Sequence, residues 1–276
     1  MKELLRAAKD QLATKNINPV DAELLLAHAA HVTRMDLHSK SIEFTAQIRE
    51  DFQGFINERL EGRPTQYIIG EAAFRYLDLE VGEGLLIPRP ETEMLVDEVL
   101  HNLNKFDETV SIVDLGAGSG AISIALQTET EGKKKVAVIA VEKSKEALPW
   151  LHKNIAKYDL PIRVIEEDVA TALEGIKCDI VVANPPYVPN AEVLPEDVTK
   201  EPELALLGGP DGMDVPRIFI AAAARLLKPQ GLLAIEHHEA QGEAIKEALS
   251  TEFTNIRLHN DLNDRPRFTT ATRGAY

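Results

Sequence analysis

Apolar side chains in the first 70 residues recur at the spacing of amphipathic helices. This spacing predicts helices over residues 3–13, 19–31 and 45–60, with a shorter helix over residues 34–38. Pro19 suits the first turn of the second helix, because an N–H at that point has no partner within the helix. Short helices of this kind must bury their apolar faces against one another, so the sequence predicts a small helical bundle.

The pattern changes after Gly70. Residues 74–81 alternate between apolar and polar side chains, as in a strand or hairpin, and Gly82 and Gly84 follow them. From Leu95 onward, helical segments alternate with short apolar runs, which is typical of a mainly parallel α/β sheet. The predicted strands are residues 110–113, 136–141, 163–165, 180–183 and 232–235, with a closing pair at 255–258 and 268–272.

A helix over residues 217–228 is predicted to precede the last parallel strand, because Pro229 and Gly231 end its pattern. The changes of pattern divide the chain into three parts. We expect an N-terminal helical bundle over residues 1–70, a β-hairpin linker over residues 71–84 and a larger α/β domain over residues 85–276.

The composition is that of a soluble enzyme. With 276 residues, 44% of them hydrophobic, the chain can bury one large core and a smaller second one. No apolar run approaches the roughly 18 residues of a membrane-spanning helix, and the first residues lack the apolar core of a signal peptide. Cys178 is the only cysteine, which excludes an internal disulfide and indicates a buried structural thiol. We therefore expect a cytoplasmic protein with no membrane contact.

The formal net charge of −15 bears on the partner. Proteins that bind nucleic acid neutralise phosphates with lysine and arginine, and the basic run Lys133-Lys134-Lys135 has no interleaved aromatic residues. The charge balance favours a protein substrate, with no direct contact to nucleic acid.

A glycine-rich loop follows the strand at residues 110–113. It reads Gly116-Ala117-Gly118-Ser119-Gly120, and a helical pattern comes after it. Glycines allow a tight turn and a close approach of a ligand to the backbone. The spacing also satisfies the dinucleotide fingerprint, so the loop alone indicates an adenosine-containing cofactor, either NAD or S-adenosylmethionine.

Two acidic residues lie at the ends of the following predicted strands. Glu142 is placed to accept hydrogen bonds from a ribose diol. Asp168 is placed to accept from an adenine amino group, although its neighbours Glu166 and Glu167 are equally typical of a solvated acidic turn. Glu236-His237-His238 follows the last parallel strand, and because no third ligand stands at a recognisable spacing, no metal site is predicted.

The residues Asn184-Pro185-Pro186-Tyr187 carry the most specific chemistry, because they follow a buried strand at the edge where α/β sheets bind ligands. The asparagine offers a carbonyl acceptor, the prolines hold the backbone rigid, and the tyrosine adds a flat face. These groups suit a planar NH2 group, which methyl transfer to nitrogen requires and hydride transfer does not. Asn-Pro and Pro-Pro also mark ordinary turns, but a turn needs neither the second proline nor the tyrosine.

Other motifs occur in order along the chain. They are residues 64–70 followed by Phe74, Leu-Ile-Pro-Arg-Pro-Glu-Thr-Glu at residues 86–93, Glu201-Pro202 with Ala205-Leu206, and Arg-Pro-Arg-Phe at residues 265–268. With the glycine loop and Asn184-Pro185-Pro186-Tyr187, these motifs resemble the HemK-type (PrmC) release factor glutamine methyltransferases over most of the chain. Residues 86–93 and the helical front domain distinguish this branch from DNA and RNA amino-methyltransferases.

The resemblance implies a Rossmann-like, seven-stranded, class I S-adenosylmethionine-dependent methyltransferase domain preceded by a small α-helical bundle that docks the substrate. It implies transfer of a methyl group to the glutamine of the Gly-Gly-Gln motif in bacterial class I peptide chain release factors, giving N5-methylglutamine. The catalytic residues would be Asn184, Pro185 and Tyr187, and Pro186 would join them in binding the substrate. The cofactor site would comprise Gly116, Ala117, Gly118, Ser119, Gly120, Glu142, Asp168, Val169 and Asn184.

The sequence departs from the family pattern at three positions. Glu142 stands where aspartate is common, Val169 where some members have an aromatic residue, and His238 where glycine is common. Three alternatives stay open: a nucleic-acid exocyclic-amine methyltransferase, a ribosomal-protein glutamine methyltransferase, and a non-catalytic adaptor that binds partners through its acidic surface.

Overall fold

The computed structural model describes residues 1–39, 42–106 and 109–275. The chain forms two compact units. The first comprises Met1–Glu71 together with Leu194–Lys200, and the second comprises Ala72–Val193 together with the chain from Glu201 onward. None of the helices in these described ranges combines the length and the apolar character needed to cross a membrane.

The first unit is helical. Its helices are α1 (Lys2–Thr14), α2 (Val20–Ala29), α3 (Asp36–Ser39), α4 (Ala46–Leu60) and α5 (Thr65–Ile69). The helices predicted from the sequence are confirmed to within about two residues. Thr45 explains the start of α4, because its side-chain oxygen accepts from the Ile48 N–H at 3.2 Å. Gly70 explains the end of α5, because its φ of +83° is a left-handed conformation that favours glycine.

The helices of the first unit pack around large apolar side chains. Leu12, Leu25, Phe52 and Ile56 are at most 1% exposed. Arg59 is buried beside this core and forms ion pairs with two carboxylates, Asp21 at 2.7 Å and Asp197 at 2.9 Å. These carboxylates compensate the buried guanidinium, whose charge would be costly if it were left unpaired.

The second unit alternates strands and helices. Its strands are β1 (Glu71–Phe74), β2 (Leu77–Glu80), β3 (Thr109–Leu115), β4 (Lys135–Val141), β5 (Arg163–Ile165), β6 (Cys178–Ala183), β7 (Val188–Pro189), β8 (Leu207–Gly209), β9 (Leu227–Glu236), β10 (Phe253–Asn260) and β11 (Pro266–Arg273). Its α-helices are α6 (Thr92–Asn102), α7 (Ala121–Thr130), α8 (Leu148–Lys157), α9 (Glu203–Leu206), α10 (Asp214–Leu226) and α11 (Gly242–Leu249). The short 3₁₀ turns Leu103–Lys105 and Glu239–Gln241 also lie in this unit, whereas the 3₁₀ turn Val198–Lys200 lies in the first unit.

Seven of these strands form one sheet in the order β10-β11-β9-β6-β3-β4-β5. The central strands are parallel, and β11 pairs antiparallel with both β9 and β10, which confirms the predicted closing pair. Alternate residues of a central strand enter different cores: Ile112 lies in the core on one face and Val113 in the core on the other. Burial on both faces explains why these strands read as continuous apolar runs in the sequence.

Two neighbouring boundary predictions were wrong, because the strand predicted over residues 232–235 already begins at Leu227. The helix predicted over residues 217–228 spans Asp214–Leu226, and the chain is already extended at Leu227. Pro229 explains the early end, because a proline disfavours helical backbone at the preceding residue, Lys228. Cys178 is buried as predicted, and burial raises the pKa of its thiol to about 12.

Candidate active site

The carboxyl ends of four neighbouring parallel strands form the ligand-binding edge of the sheet. Across β9, β6, β3 and β4 the residues in register near this edge are Ile235, Ala183, Leu115 and Val141. The residue that follows each of them stands at the edge, in the order Glu236, Asn184, Gly116 and Glu142. Register therefore places Asn184-Pro185-Pro186-Tyr187, which we call the amide clamp, between the predicted cofactor loop and Glu236, for which the sequence predicts no role.

The glycine loop leaves room for a ligand. Gly118 has a φ of +54°, which favours glycine, and no heavy atom lies within 4 Å of the position where a Cβ would stand. Gly116 is different, because a Cβ there would lie 3.1 Å from the Phe219 ring. Both glycines line a cavity at the strand ends, so the open space at Gly118 belongs to a site rather than to bulk solvent.

Glu142 fixes this loop to the end of β4. One oxygen of its carboxylate accepts from the Gly118 N–H at 2.9 Å. The other accepts from the N–H groups of Lys143 at 2.8 Å and Ser144 at 2.7 Å. A carboxylate has about four lone pairs directed at donors, so these three bonds leave capacity for one further donor from a ligand.

The cavity contains six of the predicted site residues: Gly116, Gly118, Glu142, Val169, Asn184 and Pro186. The other predicted residues lie outside its lining. Ala117, Ser119 and Gly120 shape the turn instead, since Gly120 N–H donates to the Ala117 carbonyl at 2.8 Å. Asp168 accepts from Lys143 at 3.0 Å and from the Ala170 N–H at 2.9 Å, and the pKa of its carboxyl is lowered by these bonds, led by the Ala170 N–H.

Asp114 lies beneath the glycine loop with no exposed surface. One oxygen accepts from the Ser123 N–H at 3.1 Å and from its hydroxyl at 2.6 Å. The other oxygen is buried and has no hydrogen-bond partner among the residues described. Burial raises the pKa of this carboxyl to about 7, which the two Ser123 donors only partly oppose.

Asn184 is held by a chain of hydrogen bonds behind the clamp. Its Nδ2 donates to Thr92 Oγ1 at 3.2 Å, and the Thr92 hydroxyl donates to Glu236 at 2.7 Å. Tyr187 donates its hydroxyl to the other oxygen of Glu236 at 3.0 Å. The Tyr187 carbonyl accepts from Gln241 Nε2 at 2.9 Å, which fixes the backbone of the same turn. The side-chain oxygen of Asn184 remains for a ligand in the cavity.

Burial governs the protonation of this cluster. The pKa of the Glu236 carboxyl is raised by burial, while the Thr92 and Tyr187 hydroxyls and the charge of Arg267 favour its ionised form. The pKa of the Tyr187 hydroxyl is also raised, by burial first and then by the nearby Glu236. Tyr187 is therefore a neutral hydrogen-bond donor at physiological pH.

The motif at residues 86–93 is tied to a second predicted motif through Glu201. The Glu201 carboxylate accepts from the Ile87 N–H at 2.9 Å and forms an ion pair with Arg89 at 2.6 Å. Because Glu201 is 4% exposed, these bonds are a buried link between distant segments of the second unit. Thr92 follows directly at the start of α6.

Two residues of the site were missed as functional groups. In the sequence Thr92 is only one residue of the motif at 86–93, and Glu236 stands beside two histidines that attract attention as metal ligands. The structure gives those histidines other partners: His237 bonds Thr269 at 3.0 Å, and His238 accepts from the Ala240 N–H at 3.2 Å. Strand order would have pointed to Glu236, because β9 adjoins β6, but that order cannot be read from periodicity.

Comparison with known proteins agrees with this geometry. Residues 3–70 match the family model "PrmC N-terminal domain", and residues 91–201 match "Methyltransferase small domain". The release factor glutamine methyltransferase of Streptomyces coelicolor is 40% identical over 92% of this chain and 90% of its own length. That of Mycolicibacterium smegmatis is 38% identical over 99% of this chain and 98% of its own. The chain belongs to the release factor glutamine methyltransferase family.

Solved structures share the fold of this methyltransferase. The T. thermophilus 16S rRNA N2 methyltransferase, in complex with AdoMet and guanosine, has a TM-score of 0.52 at 19% identity. The match covers 74% of this chain and 49% of the T. thermophilus chain. A methyltransferase from Pyrococcus furiosus has a TM-score of 0.53 at 17% identity, with coverage of 73% and 91%. The second unit thus has the class I methyltransferase fold, and the cofactor of the family is S-adenosylmethionine rather than NAD.

Gly208 of the methyltransferase lies against the backbone of the amide clamp. A Cβ at this position would lie 2.8 Å from both the Pro186 carbonyl oxygen and the Tyr187 Cα. We expect Gly208→Ala to displace the clamp and lower methyl-transfer turnover about 10-fold, because misplacement of a catalytic group is costly even when the group itself is intact. Single-turnover kinetics with labelled S-adenosylmethionine measures this.

The matched control is Gly54→Ala in α4, where no heavy atom lies within 4 Å of the added Cβ. That variant should keep full turnover and gain up to about 1 kcal/mol of stability, as alanine usually does in a helix. Equal turnover in the two variants would contradict a role for Gly208 in placing the clamp.

Proposed function

We propose that this methyltransferase transfers a methyl group to the side-chain nitrogen of the glutamine in the Gly-Gly-Gln motif of class I peptide chain release factors. The product is N5-methylglutamine and the donor is S-adenosylmethionine. The orientation of Asn184 carries the proposal, because its NH2 is occupied by Thr92 and its oxygen is left to accept from a substrate amide. The relatives' names supply the substrate, and a translation substrate supports a cytoplasmic location.

The cavity suits the donor. Gly118 lets the ligand reach the loop backbone, Glu142 offers one acceptor to a ribose hydroxyl, and Val169 is 7% exposed and supplies an apolar wall. Asp114 keeps one buried oxygen without a partner among the described residues, which suits a positively charged amino group. We also assign to the site Asp168, which precedes Val169 in the chain, as the acceptor for the adenine amino group. Ala117, Ser119 and Gly120 hold the turn of the glycine loop. When bound, S-adenosylmethionine supplies a methyl group activated by its sulfonium charge.

The chain's own residues must orient a poor nucleophile. A carboxamide nitrogen shares its lone pair with the carbonyl, the same resonance that flattens a peptide bond. In our proposal the substrate NH2 donates to the Asn184 side-chain oxygen and to the Pro185 carbonyl, while Pro186 and Tyr187 pack against the amide plane. Two fixed acceptors aim the nitrogen lone pair at the methyl group of the donor and stabilise the positive charge that develops on the nitrogen. Positioning and electrostatics therefore supply most of the rate.

A strong base is not required at this site. Tyr187 is held neutral by its raised pKa, and its hydroxyl already donates to Glu236. The N-alkylated amide cation is strongly acidic and releases its proton to water, so the two carbonyl acceptors need only hold and orient the NH2 group. The Asn184 oxygen and the Pro185 carbonyl thus account for both binding and catalysis in this proposal.

The decisive experiment incubates the protein with labelled S-adenosylmethionine and a purified class I release factor, followed by mass spectrometry of the Gly-Gly-Gln peptide. We expect one added methyl group on the glutamine side chain. A release factor with Gly-Gly-Asn is the matched control and should stay unmethylated. Methylation of RNA or DNA in parallel reactions, with none on the release factor, would overturn the proposal and favour a nucleic-acid substrate. The net charge of −15 argues against that outcome.

We further propose that the helical unit docks a second surface of the release factor, because a three-residue motif offers too little area for specific recognition. Residues 194–200 belong to the helical unit, so a clean truncation must replace them as well. The test variant therefore lacks residues 1–70 and carries a Gly/Ser linker at 194–200, and the control carries the linker alone.

The truncated variant should keep its cofactor affinity and its kcat/KM for a short Gly-Gly-Gln peptide. Its kcat/KM for the whole release factor should fall at least about 10-fold relative to the linker control, which reflects lost binding area. Equal losses on both substrates together with a lowered Tm would mean that the helices only stabilise the protein. Unchanged activity on the whole release factor would exclude docking.

A further inference from the structure

Behind the Asn184 side chain lie two buried polar residues from distant parts of the chain. Thr92 begins α6 and is 3% exposed, and Glu236 ends β9 and is 1% exposed. Neither lines the cavity. They are joined to Asn184 in series, with 3.2 Å between Asn184 Nδ2 and Thr92 Oγ1 and 2.7 Å between Thr92 Oγ1 and Glu236.

In this series of hydrogen bonds, the donor and the acceptor of each bond are determined by the chemistry of the three side chains. Both Glu236 oxygens accept hydrogen bonds, one from Thr92 and the other from Tyr187, so the single hydroxyl proton of Thr92 is committed to Glu236. The Thr92 oxygen can then only accept from its other neighbour. Asn184 must meet it with the NH2 group, because its carbonyl oxygen would face another acceptor there. The carboxylate therefore determines which end of the Asn184 amide points into the protein.

We propose that Thr92 and Glu236 are positioning residues for the methyl transfer, because they lock the Asn184 carboxamide with its NH2 inward and its oxygen toward the substrate. This inference rests on the proposed function, in which that oxygen accepts from the substrate amide. An asparagine side chain has two orientations of nearly equal shape, related by a half turn. The flipped orientation would present a donor to the substrate NH2 group and would be inactive.

Glu236 holds the other side of the clamp as well. Its second oxygen accepts from the Tyr187 hydroxyl at 3.0 Å. One buried carboxylate therefore sets the amide that receives the substrate and the ring that packs against it. Both oxygens of Glu236 must accept a hydrogen bond to hold the Asn184 amide and the Tyr187 ring. A neutral side chain of the same shape should therefore disturb the amide and the ring together.

The first test compares Thr92→Val with Thr92→Ser. Valine keeps the shape of threonine without the hydroxyl, whereas serine keeps the hydroxyl. We expect Thr92→Val to lower kcat for the release factor about 10- to 50-fold while the KM for S-adenosylmethionine changes less than about threefold, since orientation and not binding is lost. Thr92→Ser should restore kcat to within about threefold of the unmodified protein. A Val variant with near-normal kcat, or a Ser variant as slow as the Val variant, would overturn the inference.

The second test examines whether the two residues act in series. The two hydroxyls bond different oxygens of Glu236, and Glu236→Gln replaces one of these oxygens with an NH2 donor, so one of the two bonds is lost. We expect it to lower kcat at least as much as Thr92→Val, and we expect the double variant to be no slower than Glu236→Gln alone. Losses that multiply in the double variant would contradict a series. Glu243→Gln, at an exposed position of α11, is the matched control and should be fully active.

A third measurement does not depend on the substrate. The NH2 protons of Asn184 can be assigned by nuclear magnetic resonance from their loss in Asn184→Asp. In the unmodified protein they should exchange slowly with water, and in Thr92→Val, but not in Thr92→Ser, they should exchange at least about 10-fold faster. Equal exchange in all three proteins would overturn the positioning role. If the exchange rates follow this pattern while the unmodified protein fails to methylate release factor, the proposed function is wrong and the positioning role stands.

Discussion

Asn184→Ala should abolish most of the turnover while leaving S-adenosylmethionine bound. The Asn184 oxygen is the acceptor that we assign to the reacting amide, so its loss misorients the nucleophile and should lower the single-turnover rate at least about 100-fold. Cofactor affinity should fall less than about threefold, because the glycine loop and Glu142 keep their own hydrogen bonds. Rapid-quench kinetics and calorimetric titration with S-adenosylhomocysteine measure the two effects separately.

The same substitution at an exposed asparagine controls for any general effect of shortening the side chain. Asn104 lies in the short 3₁₀ turn Leu103–Lys105 and is exposed. Asn104→Ala should be fully active. Near-normal turnover in Asn184→Ala would refute the clamp, and an equal loss of cofactor affinity would mean that Asn184 serves the donor rather than the acceptor.

Gly118→Val should have the opposite signature, with cofactor affinity lost first. A branched side chain at Gly118 would project into space that no protein atom occupies within 4 Å, at the wall of the cavity. We expect the affinity for S-adenosylhomocysteine to fall at least about 100-fold, because the ligand can no longer approach the loop backbone. Turnover at saturating cofactor should be affected much less.

Backbone strain needs its own control, since valine is strained at a φ of +54° whatever surrounds it. Gly132 has a φ of +69°, also has no atom within 4 Å of a Cβ, and lies outside this cavity. Gly132→Val therefore carries similar strain without facing the ligand, and its cofactor affinity should be unchanged. If Gly118→Val and Gly132→Val lost the same cofactor affinity, backbone strain would explain the effect at Gly118. If the unmodified protein bound NAD more tightly than S-adenosylhomocysteine, the assignment of S-adenosylmethionine as its cofactor would be wrong.

Much of the fold followed from periodicity in the sequence. Central strands such as β3 and β6 are buried on both faces, so their apolar runs are unambiguous, and the helices of the first unit show clear amphipathic spacing. Boundaries were less certain where two signals compete. The end of α10 is an example, because helical residues continue up to Lys228 while Pro229 already forces extended backbone before it.

The candidate site was predictable where its residues are neighbours in sequence. The glycine loop and Asn184-Pro185-Pro186-Tyr187 are such cases, and the loop and Asn184 do meet at the same edge of the sheet. Thr92 and Glu236 could not be found in this way, because they lie 144 positions apart and are joined only by the order of strands. The contact of Glu201 with Ile87 and Arg89 escaped prediction for the same reason, although both segments had been recognised as motifs.

The passage of residues 194–200 through the helical unit has a consequence for how the protein is made. Arg59 pairs with Asp21, which lies 38 positions before it, but also with Asp197, which lies 138 positions after it. A chain that emerges from the ribosome from its N-terminus can form its first helices early, yet this unit lacks one counter-ion of its buried guanidinium until most of the polypeptide has been synthesised. Closing so long a loop is slow. The helical unit is therefore first in sequence but among the last parts of the molecule to be completed.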